Sequence, residues 1–251
     1  MGHKIARLKT TKVGPFKVYF RNKRELDRIK KETFIDGEYK FISKNKKPFI
    51  IDCGSHIGLS ILYFKSIYPE AEILGFEPNP QNFEILQKNI NENKLKDVKI
   101  INAALSSKDG KDTLRTSVNK KEPWTWGDTI VNNIWGNEDK NKKIEVKTTR
   151  LSGYINKPVD LLKIDIEGSE QKVLEEIKDK LHFVKQINME FHSTSTSKNI
   201  NNYKIVKKLL KDNLFKIKTF TKDIRFPFPD FIILLINRTW VFSVNATKLS
   251  C

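Results

Sequence analysis

The sequence of 251 residues predicts an α/β fold built on a mainly parallel sheet, and two features support this prediction. Short apolar runs, typical of strands buried on both faces, alternate along the chain with stretches of helical periodicity. The first run, Phe49 to Ile51, leads into a turn between Gly54 and Gly58 and then into a helical pattern that ends at Tyr68. This alternation favours an open sheet with right-handed crossovers and helices on both faces.

Seven segments are expected to form the strands of this sheet. They are 49–51, 71–76, 98–101, 159–166, 184–191, 215–220 and 231–236, the last two as a terminal antiparallel pair. Between them the periodicity predicts helices at 80–93, 169–181 and 203–211, the first opened by Pro80.

The length suits one such domain with a modest extension. Residues 1–47, with a strand-like piece at 16–20 and a charged helical stretch at 23–31, are expected to form an N-terminal extension or cap. The main domain is expected to span 48–240, with an irregular, lysine-rich insertion on the substrate side at 106–150, and 241–251 to be a C-terminal tail. Three tryptophans in this insertion predict that segment 120–136 covers the substrate; the alternative is a satellite core.

The composition is that of a folded globular protein, with 38% hydrophobic and 31% charged residues. A formal charge of +17 suits a nucleic acid, an anionic membrane surface or an acidic substrate as partner. The lysines are scattered, however, which favours a compositional bias. Two cysteines form no disulfide framework, no apolar leader is visible, and no apolar run is long enough for a transmembrane segment. The sequence therefore predicts a cytoplasmic protein.

The glycine turn is the first candidate binding element. Its spacing, Asp52-x-Gly54-x-x-x-Gly58, differs from the G-x-G-x-x-G of dinucleotide-binding turns, which makes a dehydrogenase the weakest alternative. A carboxylate at Asp52, expected to point into the crevice, would repel a pyrophosphate but would tolerate the amino-acid end of S-adenosylmethionine. The turn residues Asp52, Gly54, Ser55, His56 and Gly58 are therefore predicted to contact the cofactor; the alternative is an ordinary tight turn after a buried strand.

Further candidates follow the next two strands, since ligands bind outside the carboxyl ends of parallel strands. Glu77 is placed to accept hydrogen bonds from both hydroxyls of a ribose, and Pro78 follows it. The amide of Asn102 could read an adenine edge, with Ala103 beside it. These four residues and Asp165, which ends a later strand, complete the predicted cofactor site.

Two pairs of polar residues end the later strands. Asp165 and Glu167 lie two apart, as do Glu190 and His192, and period-two geometry puts each pair on one face. Carboxylates and an imidazole that converge can hold a divalent ion or remove a proton from a hydroxyl. Asp165, Glu190 and His192 are therefore predicted as the catalytic residues and as ligands of Mg²⁺ or another divalent cation; Glu167 could equally cap the following helix.

Five motifs together resemble the FkbM-like family of S-adenosylmethionine-dependent methyltransferases. They read I-I-D-C-G-S-H-I-G, G-F-E-P-N-P, N-A-A-L-S, D-L-L-K-I-D-I-E-G-S-E and M-E-F-H. The resemblance implies a Rossmann-like class I methyltransferase fold and a cofactor that meets Asp52, Gly54 and Gly58 at its methionine end and Glu77 at its ribose. It also implies that Asp165 and Glu167 lie beside the sulfonium and the acceptor. His56 departs from the family, whose turn commonly has asparagine there.

The resemblance, to a family of mostly O-methyltransferases, implies transfer of a methyl group to a hydroxyl oxygen of a sugar, glycan or secondary metabolite, and this is the predicted function. The first alternative is an RNA-modifying methyltransferase that uses the basic surface. No N-P-P-Y-like tetrad follows the fourth strand and no RNA-binding module is visible, so nucleic acid is not the favoured partner. The second alternative, a non-catalytic binding module, does not account for the acids at the strand ends.

Overall fold

The structure is a computed structural model that describes residues 8–116, 124–132, 134, 142–194, 197–221 and 240–249. Its helices are α1 (Lys23–Lys30), α2 (Leu59–Ile67), α3 (Pro80–Glu92), α4 (Glu170–Glu176) and α5 (Tyr203–Asp212). Its strands are β1 (Lys9–Val13), β2 (Phe16–Phe20), β3 (Phe49–Cys53), β4 (Glu72–Phe76), β5 (Val98–Ile101), β6 (Ala104–Leu105), β7 (Gly110–Thr116), β8 (Lys142–Thr149), β9 (Leu161–Ile164), β10 (Gln186–Ser193), β11 (Phe215–Thr221) and β12 (Trp240–Lys248).

A seven-stranded sheet in the order β11-β12-β10-β9-β3-β4-β5 forms the centre of the molecule. The neighbouring pairs from β10 through β5 are parallel, whereas β12 runs antiparallel to β10 and β11. The mainly parallel sheet and its helices confirm the predicted α/β fold.

Apolar cores cover both faces of this sheet because successive strand residues point to opposite sides. Ile51 joins a core with α4 and α5, while Ile50 joins a core with Ile61 and Phe64 of α2 and Leu86 of α3. All five residues of β3 are buried, as expected for a central parallel strand. The carboxyl ends of β3, β4, β9 and β10 consequently meet at one edge.

The N-terminal extension packs against the main domain beside the glycine turn. Its hairpin β1–β2 and α1 share a core with Ile57 of the turn. Asn89 in α3 ties the two parts together: its Oδ1 accepts from the Tyr19 N–H at 2.7 Å, and its Nδ2 donates to the Ile57 carbonyl at 2.8 Å.

The insertion is more regular than the sequence prediction of irregular structure for 106–150. Strands β6, β8 and β7 form a small sheet, with β7 and β8 antiparallel from Gly110↔Thr148 to Thr116↔Lys142. Val146 and Thr148 are buried while the residues between them are exposed, so the alternation in Ile144-Glu-Val-Lys-Thr148 is that of a half-buried strand. The irregular assignment is therefore wrong for β7 and β8.

The C-terminal part also differs from the prediction. The expected strand 231–236 lies outside the described residues, and the antiparallel partner of β11 is β12. Val244 and Ala246 of β12 are buried in the main core between β10 and β11. A C-terminal tail at 241–251 is therefore wrong, since residues 241–248 belong to the sheet.

One difference concerns a helix. The single helix expected at 169–181 is α4 followed by a 3₁₀ segment at Lys178–Phe183. Among the described residues, no helix has both the length and the apolar character that a membrane crossing requires.

Candidate active site

A cavity lies at the carboxyl edge of the parallel strands, covered by α1 and by part of the insertion. The predicted residues that line it are Gly54, Ser55, His56, Glu77, Pro78, Ala103, Asp165, Glu167 and Glu190. Four other predicted site residues are not among the described residues of its wall: Asp52, Gly58, Asn102 and His192.

The glycine turn is held between the ends of β4 and β9. The N–H groups of Gly54 and Ser55 both donate to the Phe76 carbonyl, at 3.1 and 2.9 Å. Gly54 has a left-handed φ of +90°, and a Cβ placed on it would lie 1.9 Å from the Asp165 carbonyl oxygen. Glycine is required at this position because the backbone at the end of β9 occupies the space of a side chain.

Asp52 supports this turn from inside the protein instead of facing the crevice. Its side chain is 0% exposed, pairs with the Lys163 ammonium at 3.2 Å and accepts from Ser60 Oγ at 2.6 Å. Lys163 also donates to the Gly54 carbonyl at 2.5 Å and lies 3.6 Å from an Asp165 oxygen. The expected carboxylate in the crevice is therefore corrected to a buried ion pair.

Lys163 itself was not singled out from the sequence, because one lysine in an apolar strand gives no local signal. Burial disfavours its charge, but attraction from Asp52 and Asp165 is stronger and raises its pKa above the ordinary value. The ammonium therefore stays charged and fixes three groups around the cavity: the Asp52 carboxylate, the Gly54 carbonyl and the Asp165 carboxylate.

Glu77 presents a buried carboxylate to the cavity, with 5% of the residue exposed. Its Oε2 accepts from the His56 N–H at 2.8 Å and its Oε1 from the Asn79 N–H at 2.9 Å. Burial raises its pKa, against the attraction of His56 and these two hydrogen bonds. Asn102 lies behind this loop and donates to the carbonyls of Glu77 and Pro78 at 2.8 and 3.1 Å, so its amide supports the loop.

Asp128, in the insertion, is a further carboxyl group in the cavity wall that sequence analysis missed. Burial raises its pKa to about 7, even though it accepts from Asn79 Nδ2 at 2.6 Å. Glu77 disfavours its charged form, whereas His56 and the hydrogen bond with Thr116 favour it. No strand end of the main sheet carries Asp128, so the strand-end rule could not find it.

The acid cluster forms at the ends of β9 and β10. Asp165 accepts from the Tyr39 hydroxyl at 3.1 Å, and a Glu190 oxygen lies 3.4 Å from His192 Nε2. One ligand atom each from Asp165, Glu190 and His192 lies within 4.8 Å of the others. The structure thus brings together the three predicted catalytic and metal-binding residues, two of them in the cavity wall.

His192 lies behind those two carboxylates. It is 2% exposed, its Nδ1 is 3.0 Å from a Glu170 oxygen, and its Nε2 is 3.5 Å from a Glu167 oxygen. Burial disfavours the imidazolium, but the Glu167 charge and the hydrogen bonds that His192 donates to Glu170 and Glu190 raise the His192 pKa well above its usual range. Burial also disfavours the charged form of Glu167, and for this carboxyl group that effect raises the pKa.

Glu167 does not continue the strand as period-two spacing predicts. Its φ is +52° and β9 ends at Ile164, so its side chain turns toward His192 while its carbonyl accepts from Thr129 Oγ1 at 2.6 Å. It does not cap α4 through its side chain: the Gly168 N–H, just before α4, donates to Glu170 Oε1 at 3.0 Å.

The FkbM methyltransferase domain model matches residues 52–221 of the chain. The chain belongs to the FkbM methyltransferase family. The match includes the glycine turn, Glu77 and the acid cluster, which confirms the resemblance inferred from the sequence. This FkbM protein is therefore a methyltransferase, and S-adenosylmethionine is its methyl donor by family.

Two curated fungal relatives support the assignment. Methyltransferase sdnD of Sordaria araneosa is 34% identical over 182 residues, which cover 62% of this chain and 70% of the relative. Methyltransferase 1 of Beauveria bassiana is 31% identical over 172 residues, 62% of this chain and 69% of the relative.

Solved structures share the fold at low sequence identity. An FkbM methyltransferase from Methylobacillus flagellatus has a TM-score of 0.51 at 13% identity. The match covers 85% of the present chain and 46% of the Methylobacillus chain, so the present chain spans about half the length of that protein. The M. jannaschii protein TYW2, solved in complex with AdoMet, has a TM-score of 0.51 at 14% identity, over 99% of this chain and 90% of the other.

The cavity of the FkbM protein fits such a donor in its chemistry. It combines a buried carboxylate at the end of β4, the apolar residues Pro78 and Ala103 in its wall, and a glycine turn without a side chain at Gly54. A carboxylate that can accept from vicinal hydroxyls is what a ribose requires.

Proposed function

We propose that this FkbM methyltransferase transfers the methyl group of S-adenosylmethionine to a hydroxyl oxygen of a small-molecule or glycan acceptor. The observation that carries the proposal is the position of Asp165 and Glu190. Both line the cavity that also contains the glycine turn and Glu77, and Asp165 already accepts from a hydroxyl, that of Tyr39. Carboxylates at that position accept the proton that an acceptor hydroxyl must lose.

The proposed cofactor pose follows from the wall of the cavity. Glu77 binds the ribose hydroxyls with the lone pairs that His56 and Asn79 leave, and Pro78 and Ala103 lie against the adenine. The methionine end then lies along Gly54 and Ser55, toward Asp165. Asp52 acts on this end only through the turn that it supports.

The reaction is an in-line displacement at the methyl carbon. A lone pair of the acceptor oxygen forms the new carbon–oxygen bond, and the carbon–sulfur bond breaks with its electron pair left on sulfur. The acceptor proton passes to Glu190 or Asp165, and S-adenosylhomocysteine and the methyl ether leave. The largest contribution of the protein is to hold the acceptor oxygen in line with the sulfur.

A divalent cation is the finer part of the proposal, with Asp165, Glu190 and His192 as its ligands. Its support is the convergence of their ligand atoms and the contact between His192 Nδ1 and Glu170, since metal-binding histidines commonly bond a carboxylate through the other nitrogen. Such an ion would lower the pKa of the acceptor hydroxyl.

The test uses S-adenosylmethionine labelled in its methyl group and a panel of sugars, glycans and polyketide alcohols, each paired with its deoxy analogue. Label that enters an alcohol but not its deoxy analogue supports the proposal, and Glu190→Gln is expected to reduce the rate at least tenfold. Label that enters amines or carbon acids only, under conditions in which S-adenosylhomocysteine binds, contradicts O-methylation.

The metal is tested separately, by titration of chelator-treated protein with Mn²⁺, followed by electron paramagnetic resonance. Stoichiometric binding that Glu190→Gln and His192→Ala each weaken supports the ion. Full turnover in excess chelator, together with no Mn²⁺ binding, would show that the carboxylates act alone.

The described part of the predicted cover 120–136 comprises 124–132 and 134, whereas Trp135 lies outside it. Trp126 lines the cavity, and Trp124 packs on it edge to face at 6.0 Å between ring centroids. We place the acceptor beneath Trp126, next to Asp165. Tryptophan fluorescence that changes with an acceptor, in protein saturated with S-adenosylhomocysteine, is the expected result.

A further inference from the structure

His56 joins the cofactor turn to both segments that cover the cavity. It is one of the few residues other than glycine with a left-handed backbone, φ +48°, a conformation that histidine, asparagine and aspartate adopt more readily than other residues. Its imidazole Nε2 lies 2.9 Å from Thr125 Oγ1 and 3.5 Å from Glu25 Oε1. The residue by which this chain departs from the family turn thus has partners outside the main sheet.

Glu25 is the point where the two covering segments meet. It lies in α1 and is buried, and its Oε1 accepts from three donors of the insertion: the N–H of Thr125 at 2.7 Å, the N–H of Trp126 at 2.8 Å and Thr125 Oγ1 at 3.1 Å. Because both backbone donors would be left without this acceptor, its removal is costly.

Cation–π contacts extend the same interface. The guanidinium of Arg24 lies 5.1 Å from the ring centroid of Trp124, and that of Arg28 lies 4.3 Å from that of Trp126. Arg28, Ile29 and Trp126 also line the cavity. The interface between α1 and 124–126 therefore forms part of the cavity wall.

His56 also links this interface to Glu77, where the nucleoside is proposed to bind. Its backbone N–H donates to Glu77 Oε2, the carboxylate proposed to bind the ribose, while its side chain bonds the cover. A shift of His56 therefore changes both its hydrogen bond to Glu77 and its contact with the cover at Thr125.

We propose that Glu25, His56 and Thr125 form a latch that couples closure of the cover to occupation of the cofactor site, so that the latch sets the rate at which S-adenosylhomocysteine leaves. The three are positioning residues, since they act through Glu77 and the cover. The inference rests on the proposed cofactor pose at Glu77.

The charges around the latch give it a pH range. Burial opposes charge on both partners, but mutual attraction outweighs it: Glu25 raises the pKa of His56, and His56 together with the Thr125 hydrogen bonds lowers that of Glu25. Glu77 and Asp128 also face His56 and favour its charged form. The ion pair is complete between the two values, and it is lost as pH rises through the raised pKa of His56 or falls through the lowered pKa of Glu25.

The decisive variant is His56→Asn. Asparagine tolerates the left-handed backbone and keeps the N–H that bonds Glu77, but it is too short to reach Glu25. Stopped-flow release of S-adenosylhomocysteine, followed by tryptophan fluorescence in a Trp135→Phe/Trp240→Phe background, is expected to be about tenfold faster, which corresponds to about 1.4 kcal/mol. Glu25→Gln is expected to act in the same direction, and the double variant to add little.

Two controls separate a latch from general loosening. Lys17→Met breaks the 2.8 Å ion pair between Lys17, on the same extension, and Glu92 of α3, and is expected to leave release unchanged. Release from the parent protein should quicken as pH rises through the raised pKa of His56, and His56→Asn should abolish that dependence.

Folded His56→Asn and Glu25→Gln proteins that release the ligand at the parent rate would overturn the latch. If the parent protein does not bind S-adenosylhomocysteine, the cofactor pose fails first. Acrylamide quenching of Trp124 and Trp126 in the ligand-free protein then shows whether the contacts of His56 with Glu25 and Thr125 only hold the cover in place. Greater quenching in His56→Asn than in the parent protein, without any ligand binding, would overturn the coupling of the cover to the cofactor site.

Discussion

Glu77 holds both carboxylate oxygens in hydrogen bonds to backbone N–H groups, so its position is fixed before any ligand arrives. The free energy needed to bury and orient the Glu77 carboxylate is therefore spent when the protein folds and not when a ligand binds. The lone pairs that are left on its oxygens can accept hydrogen bonds from the two hydroxyls of a ribose. Among single residues, it is the one on which the proposed nucleoside site depends most.

Glu77→Ala is expected to weaken the binding of S-adenosylhomocysteine by roughly 1.5–3 kcal/mol, the range for hydrogen bonds to a charged group. Glu77→Gln, which can still accept from His56 N–H, is the matched control and should lose less. Isothermal titration calorimetry measures both. An unchanged affinity in a folded Glu77→Ala protein would remove the ribose assignment.

Gly54→Ala is expected to destabilise the fold itself by about 3 kcal/mol or more, since the new Cβ would lie 1.9 Å from the Asp165 carbonyl oxygen. Gly14→Ala is the control: its φ of +58° is also left-handed, but no atom lies within 4 Å of the added Cβ, so only backbone strain of about 1–2 kcal/mol remains. Urea denaturation compares the two. Equal losses of unfolding free energy in the two variants would show that the backbone around Gly54 and Asp165 moves apart to admit the Cβ without a cost in stability.

The sequence located residues where a local rule applies and missed them where the partner is distant. Glu77 and Gly54 follow buried strands, so the strand-end rule places them in the cavity wall. Asp52 follows the same rule, but Lys163, 111 positions away, holds it inside. Glu25 and Asp128 carry no local signal, because only the packing of the extension and the insertion brings Glu25 to His56 and Asp128 to the cavity.

Among the elements, β9 is fixed at its start by Asp160. This carboxylate accepts from the Phe49 N–H of β3 at 3.0 Å and from Lys185, just before β10, at 2.9 Å, so one side chain holds three parallel strands in register. Burial opposes its charge, but the bonds from Lys185 and Phe49 outweigh burial and lower its pKa.

Asp160→Asn is expected to cost roughly 1.5–3 kcal/mol of unfolding free energy at neutral pH. Because the pKa is lower in the folded state, the contribution is complete above the unfolded pKa of about 3.9 and is lost as pH falls through the folded value. Thermal unfolding between neutral pH and pH 3 should therefore be less pH-dependent in the variant. Asp212→Asn, at the exposed ion pair with Lys208, should change stability by less than about 1 kcal/mol.

The elements that the sequence missed share one physical cause. In β8, exposed lysines alternate with a single buried row, so the average composition is polar although the pattern is that of a strand. In β12, Val244 and Ala246 are the buried residues among those whose side chains the structure describes, and the more apolar run at 231–236 was predicted as the strand instead. Pairing with a neighbour, rather than local hydrophobicity, specifies both strands.

Val244→Asp is expected to prevent folding or to cost several kcal/mol, since the charge would lie in the core between β10 and β11. Asn245→Asp, the next residue and on the opposite face, is the control and should keep the fold. Circular dichroism and thermal unfolding distinguish them. A stable Val244→Asp protein would restore the C-terminal tail.

At the scale of the whole molecule, the sequence does not say whether the formal charge of +17 serves a partner such as nucleic acid or is only a compositional bias. Among the described residues that line the cavity, carboxyl groups outnumber cations: Glu32, Glu77, Asp128, Asp165, Glu167 and Glu190 stand against Arg28 and Lys163. A phosphate backbone attracted to the outer surface would meet these acids at the proposed place of methyl transfer. The two signs therefore argue for a neutral acceptor, and for a surface charge that acts without specificity.

Bulk tRNA is accordingly expected to bind weakly, with affinity that falls steeply between about 50 and 200 mM salt, and to receive no labelled methyl group. Heparin should compete with it as effectively as unlabelled tRNA, because both would bind through charge alone. Filter binding and incorporation of label from S-adenosylmethionine measure the two properties on the same samples. Label in tRNA that Glu190→Gln abolishes, at a salt concentration where heparin no longer competes, would establish RNA as the acceptor and overturn the neutral alcohol.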